Sequence, residues 1–119
     1  MSTTSTGLKG EEIAVNYLKK LGYQILERNF RIQGGEIDII AKDKNYLVFI
    51  EVKTRYNHEF GKPKDSITPK KIGFLIRTAK FYLLKTGWGN EPFRLDFISI
   101  DFTAPTIEPE IELIKNITE

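Results

Sequence analysis

The stretch GEIDIIAKDKNYLVFIEVKTR, residues 35–55, decides how this chain folds. Tyr46 to Thr54 (YLVFIEVKT) is dense in aromatic and β-branched residues, the composition of a strand. Glu36 to Ala41 reads as a second strand, and the polar run Lys42-Asp43-Lys44-Asn45 between them reads as a turn, so the two form a hairpin. Side chains alternate along a strand, which puts Glu36, Asp38 and Ile40 on one face and Leu47, Phe49, Glu51 and Lys53 on one face. An even-numbered turn centred on Lys42 to Asn45 pairs Ala41 with Tyr46 and Ile40 with Leu47. It sets Asp38 opposite Phe49 and Glu36 opposite Glu51, with all the charges on a common face. An odd-numbered loop would reverse the parity and send Asp38 behind the sheet.

Upstream, Ile13, Ala14, Tyr17, Leu18 and Leu21 recur at helical spacing before Gly22, giving a helix from Leu8 to Leu21. Tyr23 to Phe30 reads as a strand, punctuated by Gly34-Gly35. Downstream, a charged loop from Arg55 to Ser66 leads to Thr68-Pro69, a capping residue followed by proline at the first helical position. Ile72, Leu75, Ile76, Ala79 and Leu83 form that helix's buried stripe, and Gly87 ends it. Phe93 to Phe102 reads as another strand and Ile111 to Ile117 as a weaker final one, after a proline-bearing turn from Thr103 to Pro109. The expected fold is α/β: an αβββαβ core with one mixed central sheet flanked by helices.

At 119 residues the chain is one domain by size. Residues 8–119 are expected to form it, and the Ser/Thr-rich residues 1–7 to be a disordered tail rather than a signal peptide. The composition, 40% hydrophobic and 29% charged, is globular, and a formal charge of +2 decides nothing about partners. Without cysteine, disulfides and thiolate chemistry are excluded, which fits a cytoplasmic protein. No apolar run approaches the length of a membrane span.

Glu51 and Lys53 interrupt a strand that is otherwise apolar on both faces, as befits a central strand. A half-buried Asp38–Glu51 pair would repel unless a cation or a proton intervened. A divalent metal resolves the conflict, and hard oxygen donors from Asp38, Glu51 and the Val52 carbonyl suit Mg²⁺ or Mn²⁺. Lys53, on the same side, would contact a scissile phosphate or help position and deprotonate a water. On the first helix, Glu11 lies near the edge of the apolar stripe and Glu12 nearly opposite, so Glu11 is the inward acid, expected as a catalytic residue that supports the metal or its water. The bland reading of Glu51-x-Lys53 is a cross-strand ion pair on a solvated edge. Glu36 either extends the acidic cluster or merely starts its strand.

The basic residues carry two readings each. Lys70 and Lys71 would hold a backbone phosphate at the helix N-terminus, or are simply solvated. Arg55, Lys62 and Lys64 would track a nucleic-acid backbone from the loop, or belong to a solvated loop, and Arg28 and Arg31 have a weaker claim to the same role. His58, the only histidine, is assigned no role. Trp88 reads as a packing anchor before a base-stacking group, and Asp96 as a structural acceptor.

These residues, in this order, resemble the PD-(D/E)xK nuclease superfamily. More narrowly, GEEIAVNYLKKLGYQILERNF, GGEIDIIAKD, LVFIEVKTR and FGKP look like the YraN family, over roughly Gly7 to Leu84 with an echo at Arg94-Leu95-Asp96. The resemblance implies a restriction-endonuclease-like fold, with Asp38 as the first acid and Glu51-Val52-Lys53 as the second half-motif. Ile37 stands where the superfamily has proline. It also implies an Mg²⁺-dependent endonuclease. Similarity to archaeal Holliday-junction resolvases implies branched or structured DNA as substrate and a homodimer as the working form. Some proteins of this fold bind without cutting, so the alternative is a non-catalytic nucleic-acid-binding or partner-recruiting module.

Overall fold

Lys42 and Asp43 belong to the strand, not to the turn. In a computed structural model describing residues 3–57, 61, 63–89, 91–103 and 107–118, strand β2 runs Gly35–Asp43 and strand β3 Tyr46–Arg55. The turn is therefore two residues, Lys44 and Asn45, with Lys44 in the left-handed region (φ 56°) that short hairpin loops demand. The pairs are Asp43–Tyr46, Lys42–Leu47, Ala41–Val48, Ile40–Phe49 and Ile39–Ile50. This register lies two residues away from the expected one, so the Asp38–Phe49 and Glu36–Glu51 pairings do not form. A slip of two preserves parity, so Ile40 stays on the face of Leu47 and Phe49 as the sequence implies.

The order is α1 (Thr3–Lys20), β1 (Gln24–Ile32), β2, β3, a short 3₁₀ turn (Pro63–Ser66), α2 (Pro69–Thr86), β4 (Phe93–Asp101) and β5 (Glu110–Ile114). The five strands lie side by side in chain order. β3 and β4 are parallel, joined by the crossover through α2, and the other neighbours are antiparallel. This is the expected mixed sheet with its two helices.

α1 begins five residues ahead of Leu8 and stops before Leu21, which is 50% exposed; Val15 takes its place in the buried stripe. α2 begins as read. The Thr68 hydroxyl accepts from Lys71 N–H at 3.1 Å, Pro69 opens the first turn, and Gly87 closes the helix with φ 76°.

Each helix covers its own layer. On the α1 side Ala14, Val15 and Leu18 pack with Ile39, Ala41, Val48 and Ile50. On the α2 side Leu75, Ala79, Tyr82 and Leu83 pack with Ile40, Leu47, Phe49 and Leu95. Burying Phe49, 1% exposed, is worth about 1.5–3 kcal/mol. β3 alternates cleanly between layers, so Glu51 and Lys53 continue the Leu47–Phe49 row on the α2 side. β2 does not alternate cleanly: Ile37 joins Ile40 in the α2 layer, and the break falls at Asp38 and Ile39. Among the described residues no helix is long and apolar enough to cross a membrane.

Candidate active site

The β2–β3 ladder ends at Ile39–Ile50. One step beyond, the Val52 N–H donates to Asp38 Oδ2 at 2.8 Å. The side chain thus does what a strand carbonyl would have done, and the carboxylate is fixed between the parting strands. Glu51 and Lys53 flank Val52, and these four residues line an open cleft of about 380 Å³. Gly34, Gly35 and Glu36 line it at the β1–β2 turn, and Lys71, Phe74, Leu75 and Thr78 line it from α2. The cleft depends on close approach: a Cβ on Gly35 would run into the Thr78 hydroxyl, which is buried and donates to the Phe74 carbonyl at 2.9 Å.

The electrostatics are those of a crowded acid pair. Burial raises the Asp38 carboxyl first, then hydrogen bonding to and repulsion from Glu51, against the Val52 N–H; together they take it up to about 8. Near neutral pH the pair keeps a proton. Lys53 is pushed below the usual lysine range, chiefly by burial and then by Arg55, with Glu51 opposing. Glu51 is 12% exposed at its side chain and pairs with Lys71, Nζ to Oε2 2.7 Å.

These groups fit a hard divalent cation. A carboxylate pair that resists joint ionisation is relieved by two positive charges as well as by a proton. Among the described residues no three Asp, Glu, His or Cys side chains converge as a ready cage. The remaining positions would fall to the Val52 carbonyl and water, a pattern that suits Mg²⁺ or Mn²⁺.

The other expected residues divide. Glu11 points inward, with its side chain 15% exposed against 59% for Glu12. It does not line the cleft. Arg28 lies 3.8 Å from it, and the Asn29 amide, oriented to donate, is 3.2 Å from both of its oxygens. Burial raises its pKa, and its charge helps raise that of Asp38. Glu36 is at the rim and pairs with Arg31 at 3.3 Å. Arg55 follows Lys53 on its strand without lining the cleft, and its Nε is buried with no hydrogen-bond partner among the described residues. Lys64 and Lys70 are exposed, while Lys62 and His58 lie outside the described residues. Trp88 packs against the α2-side core, with the Lys42 ammonium 5.3 Å from its ring centre, as an anchor would. Asp96, fully buried, accepts from Tyr23 Oη, Arg94 and Asn116 N–H, as a structural acceptor.

Lys71 as the partner of Glu51 is not read from the sequence, which offers it as a phosphate contact or as a solvated lysine. The signal was the parallel crossover, which returns the first turn of a βαβ helix to the carboxyl end of the preceding strand.

A family model described as an uncharacterised protein family, UPF0102, matches residues 10–100. A UPF0102 protein of Clostridium botulinum (strain Hall) is 50% identical over 111 residues, covering 92% of this chain and 90% of the relative. One from Dehalococcoides mccartyi (strain BAV1) is 46% identical over 111 residues, covering 93% and 90%.

Proposed function

The chain belongs to the uncharacterised protein family UPF0102, and we propose that it is a metal-dependent nuclease of the PD-(D/E)xK superfamily, cutting DNA phosphodiester bonds in the cleft of Asp38, Glu51 and Lys53. The observation that carries this reading is the convergence of those three side chains, with Val52, in one open cleft on one face of the sheet. A buried pair of acids that cannot comfortably share full charge is an expensive arrangement for a merely structural strand, and functional sites are where such arrangements concentrate.

Asp38, Glu51 and the Val52 carbonyl would hold Mg²⁺ or Mn²⁺, which supplies Lewis-acid neutralisation of the phosphate. Lys53 adds a second positive charge, and its lowered pKa lets it exchange a proton with the attacking water. Water attacks phosphorus, the ester P–O bond breaks, and the products are a phosphate monoester and a hydroxyl. Glu11 acts from behind by biasing Asp38. Arg55, Lys62, Lys64, Lys70 and Lys71 meet the DNA backbone. The similarity to archaeal Holliday-junction resolvases favours branched DNA and a homodimer, and a cytoplasmic location accompanies that reading.

The test is purified protein with Mg²⁺ or Mn²⁺ on linear, branched, flapped and single-stranded DNA, beside Glu51→Ala and Lys53→Ala. Cleavage lost in both variants is the expected result. DNA binding with no metal-dependent cleavage by the wild type would favour the non-catalytic module instead.

A further inference from the structure

The Lys71–Glu51 contact is lopsided in a way that ordinary surface ion pairs, individually weak, are not. Glu51 is 12% exposed, so its carboxylate has given up most of its water and relies on a counter-charge. Lys71 is 48% exposed, so its ammonium returns to solvent at little cost. The Lys71 backbone is pinned by the Thr68 cap, which leaves only the flexible four-carbon stem to move. The Lys71 ammonium lies near enough to Lys53 to disfavour its charged form, so expelling Lys71 also relieves that repulsion. A divalent cation taken up by Asp38 and Glu51 and the ammonium of Lys71 would compete for the same carboxylate.

We propose that Lys71 is a displaceable counter-ion: it neutralises Glu51 while no divalent metal is bound, yields that oxygen to an incoming cation, and then presents its ammonium to the phosphate in the cleft. The inference rests on the nuclease reading of the cleft. It makes metal loading and phosphate binding reinforce one another, because Lys71 becomes available to the phosphate only once the metal has released it, and such coupling is reciprocal.

The test is Mn²⁺ titration of the full chain, followed by electron paramagnetic resonance of free Mn²⁺, for wild type, Lys71→Met, Lys71→Gln and Lys71→Arg. Lys80→Met, an exposed lysine of the same helix, controls for net charge, and circular dichroism checks the fold. Both neutral variants should bind Mn²⁺ about five- to tenfold tighter, the scale of losing one close unit charge opposite a divalent ion. Lys71→Arg should stay near wild type, and Lys80→Met within about twofold. In Ca²⁺, the metal-dependent gain in affinity for a short DNA duplex should shrink in Lys71→Met, and an unchanged gain would remove delivery to the phosphate from the proposal. Equal or weaker Mn²⁺ binding in Lys71→Met and Lys71→Gln, beside a wild type that binds, overturns the competition and leaves the nuclease reading standing. Failure of wild type and variants alike to bind Mn²⁺ overturns both.

Discussion

Asp38 and Val52 are joined by a 2.8 Å hydrogen bond across the point where β2 and β3 part. One carboxylate oxygen replaces a missing ladder carbonyl, and the other stays available to Glu51 or a cation. Structure and proposed chemistry therefore draw on different atoms of one side chain, and two substitutions separate them. Asp38→Ala orphans a half-buried N–H and should cost about 1–3 kcal/mol in urea unfolding. Asp38→Asn keeps an acceptor for Val52 and offers Glu51 a donor, so its stability at pH 7.5 should equal or exceed wild type. DNA cleavage should fall by about a hundredfold or more in both. Equal destabilisation by Asn and Ala would count against the hydrogen bond as the structural element.

The raised pKa of Asp38 gives the metal-free protein a characteristic pH profile. Its carboxyl moves from 3.8 up to about 8 on folding, so within that window the folded state holds a proton which the unfolded state has lost. The resulting stability is fully present below 3.8 and is lost as pH rises through about 8. The slope is at most about 1.4 kcal/mol per pH unit, the value for one whole proton. Denaturation midpoints measured from pH 5 to 9 with a chelator should decline, and Asp38→Asn should flatten the decline. Saturating Mg²⁺ should flatten it too, the cation replacing the proton. A wild-type midpoint that rises across this range would contradict the assignment.

The fold was legible where local chemistry dictates geometry. Thr68-Pro69 and Gly87 can start and stop a helix in few other ways, and alternation along β3 put Glu51 and Lys53 on one side. The hairpin register was not legible, because Lys42 and Asp43 have the composition of turn residues. Tertiary partners hold them in the strand instead: Asp43 accepts from Arg94 at 2.7 Å, and Lys42 packs over Trp88. A sequence shows neither partner as near. Thr78 in the core and Lys71 on Glu51 escaped for the same reason, since both depend on how closely α2 docks against β2 and β3. Leu21 misled because its periodicity continues past the point where the helix has already ended.

Arg94 holds together a polar cluster away from the cleft. Its guanidinium reaches Asp43 at 2.7 Å, Asp96 at 2.9 and 3.1 Å, and the Tyr23 hydroxyl at 2.7 Å. Asp96 is fully buried, so Arg94→Met leaves an uncompensated charge and should cost about 3–5 kcal/mol. Asp43→Asn should cost less, because Asp43 is 16% exposed and keeps a neutral acceptor. Thermal denaturation should give that order, and a reversed order would mean that Asp43 anchors the cluster. Mn²⁺ affinity of the folded variants should not change, since none of these groups lines the cleft.

Gly35 and Thr78 test whether the docking of α2 shapes the site. A methyl group at Gly35 meets the Thr78 hydroxyl far inside contact distance, in a backbone conformation that any residue can adopt, so steric overlap and not strain is what Gly35→Ala introduces. Overpacking of this kind costs about 1–3 kcal/mol. Thr78→Ala removes a buried hydroxyl whose partner, the Phe74 carbonyl, is a helix carbonyl, so its own cost should be small. In the double variant the methyl of residue 35 occupies the space vacated by the threonine, and much of the loss should return as a coupling energy of about 1 kcal/mol or more. Because Gly35 and Thr78 line the cleft with Asp38 and Glu51, Gly35→Ala should also weaken Mn²⁺ binding, and the double variant should restore it. A double variant whose loss of unfolding energy equals the sum of the two single losses would show that the helix moves away as a rigid body, and the width of the cleft would then not be set at this contact.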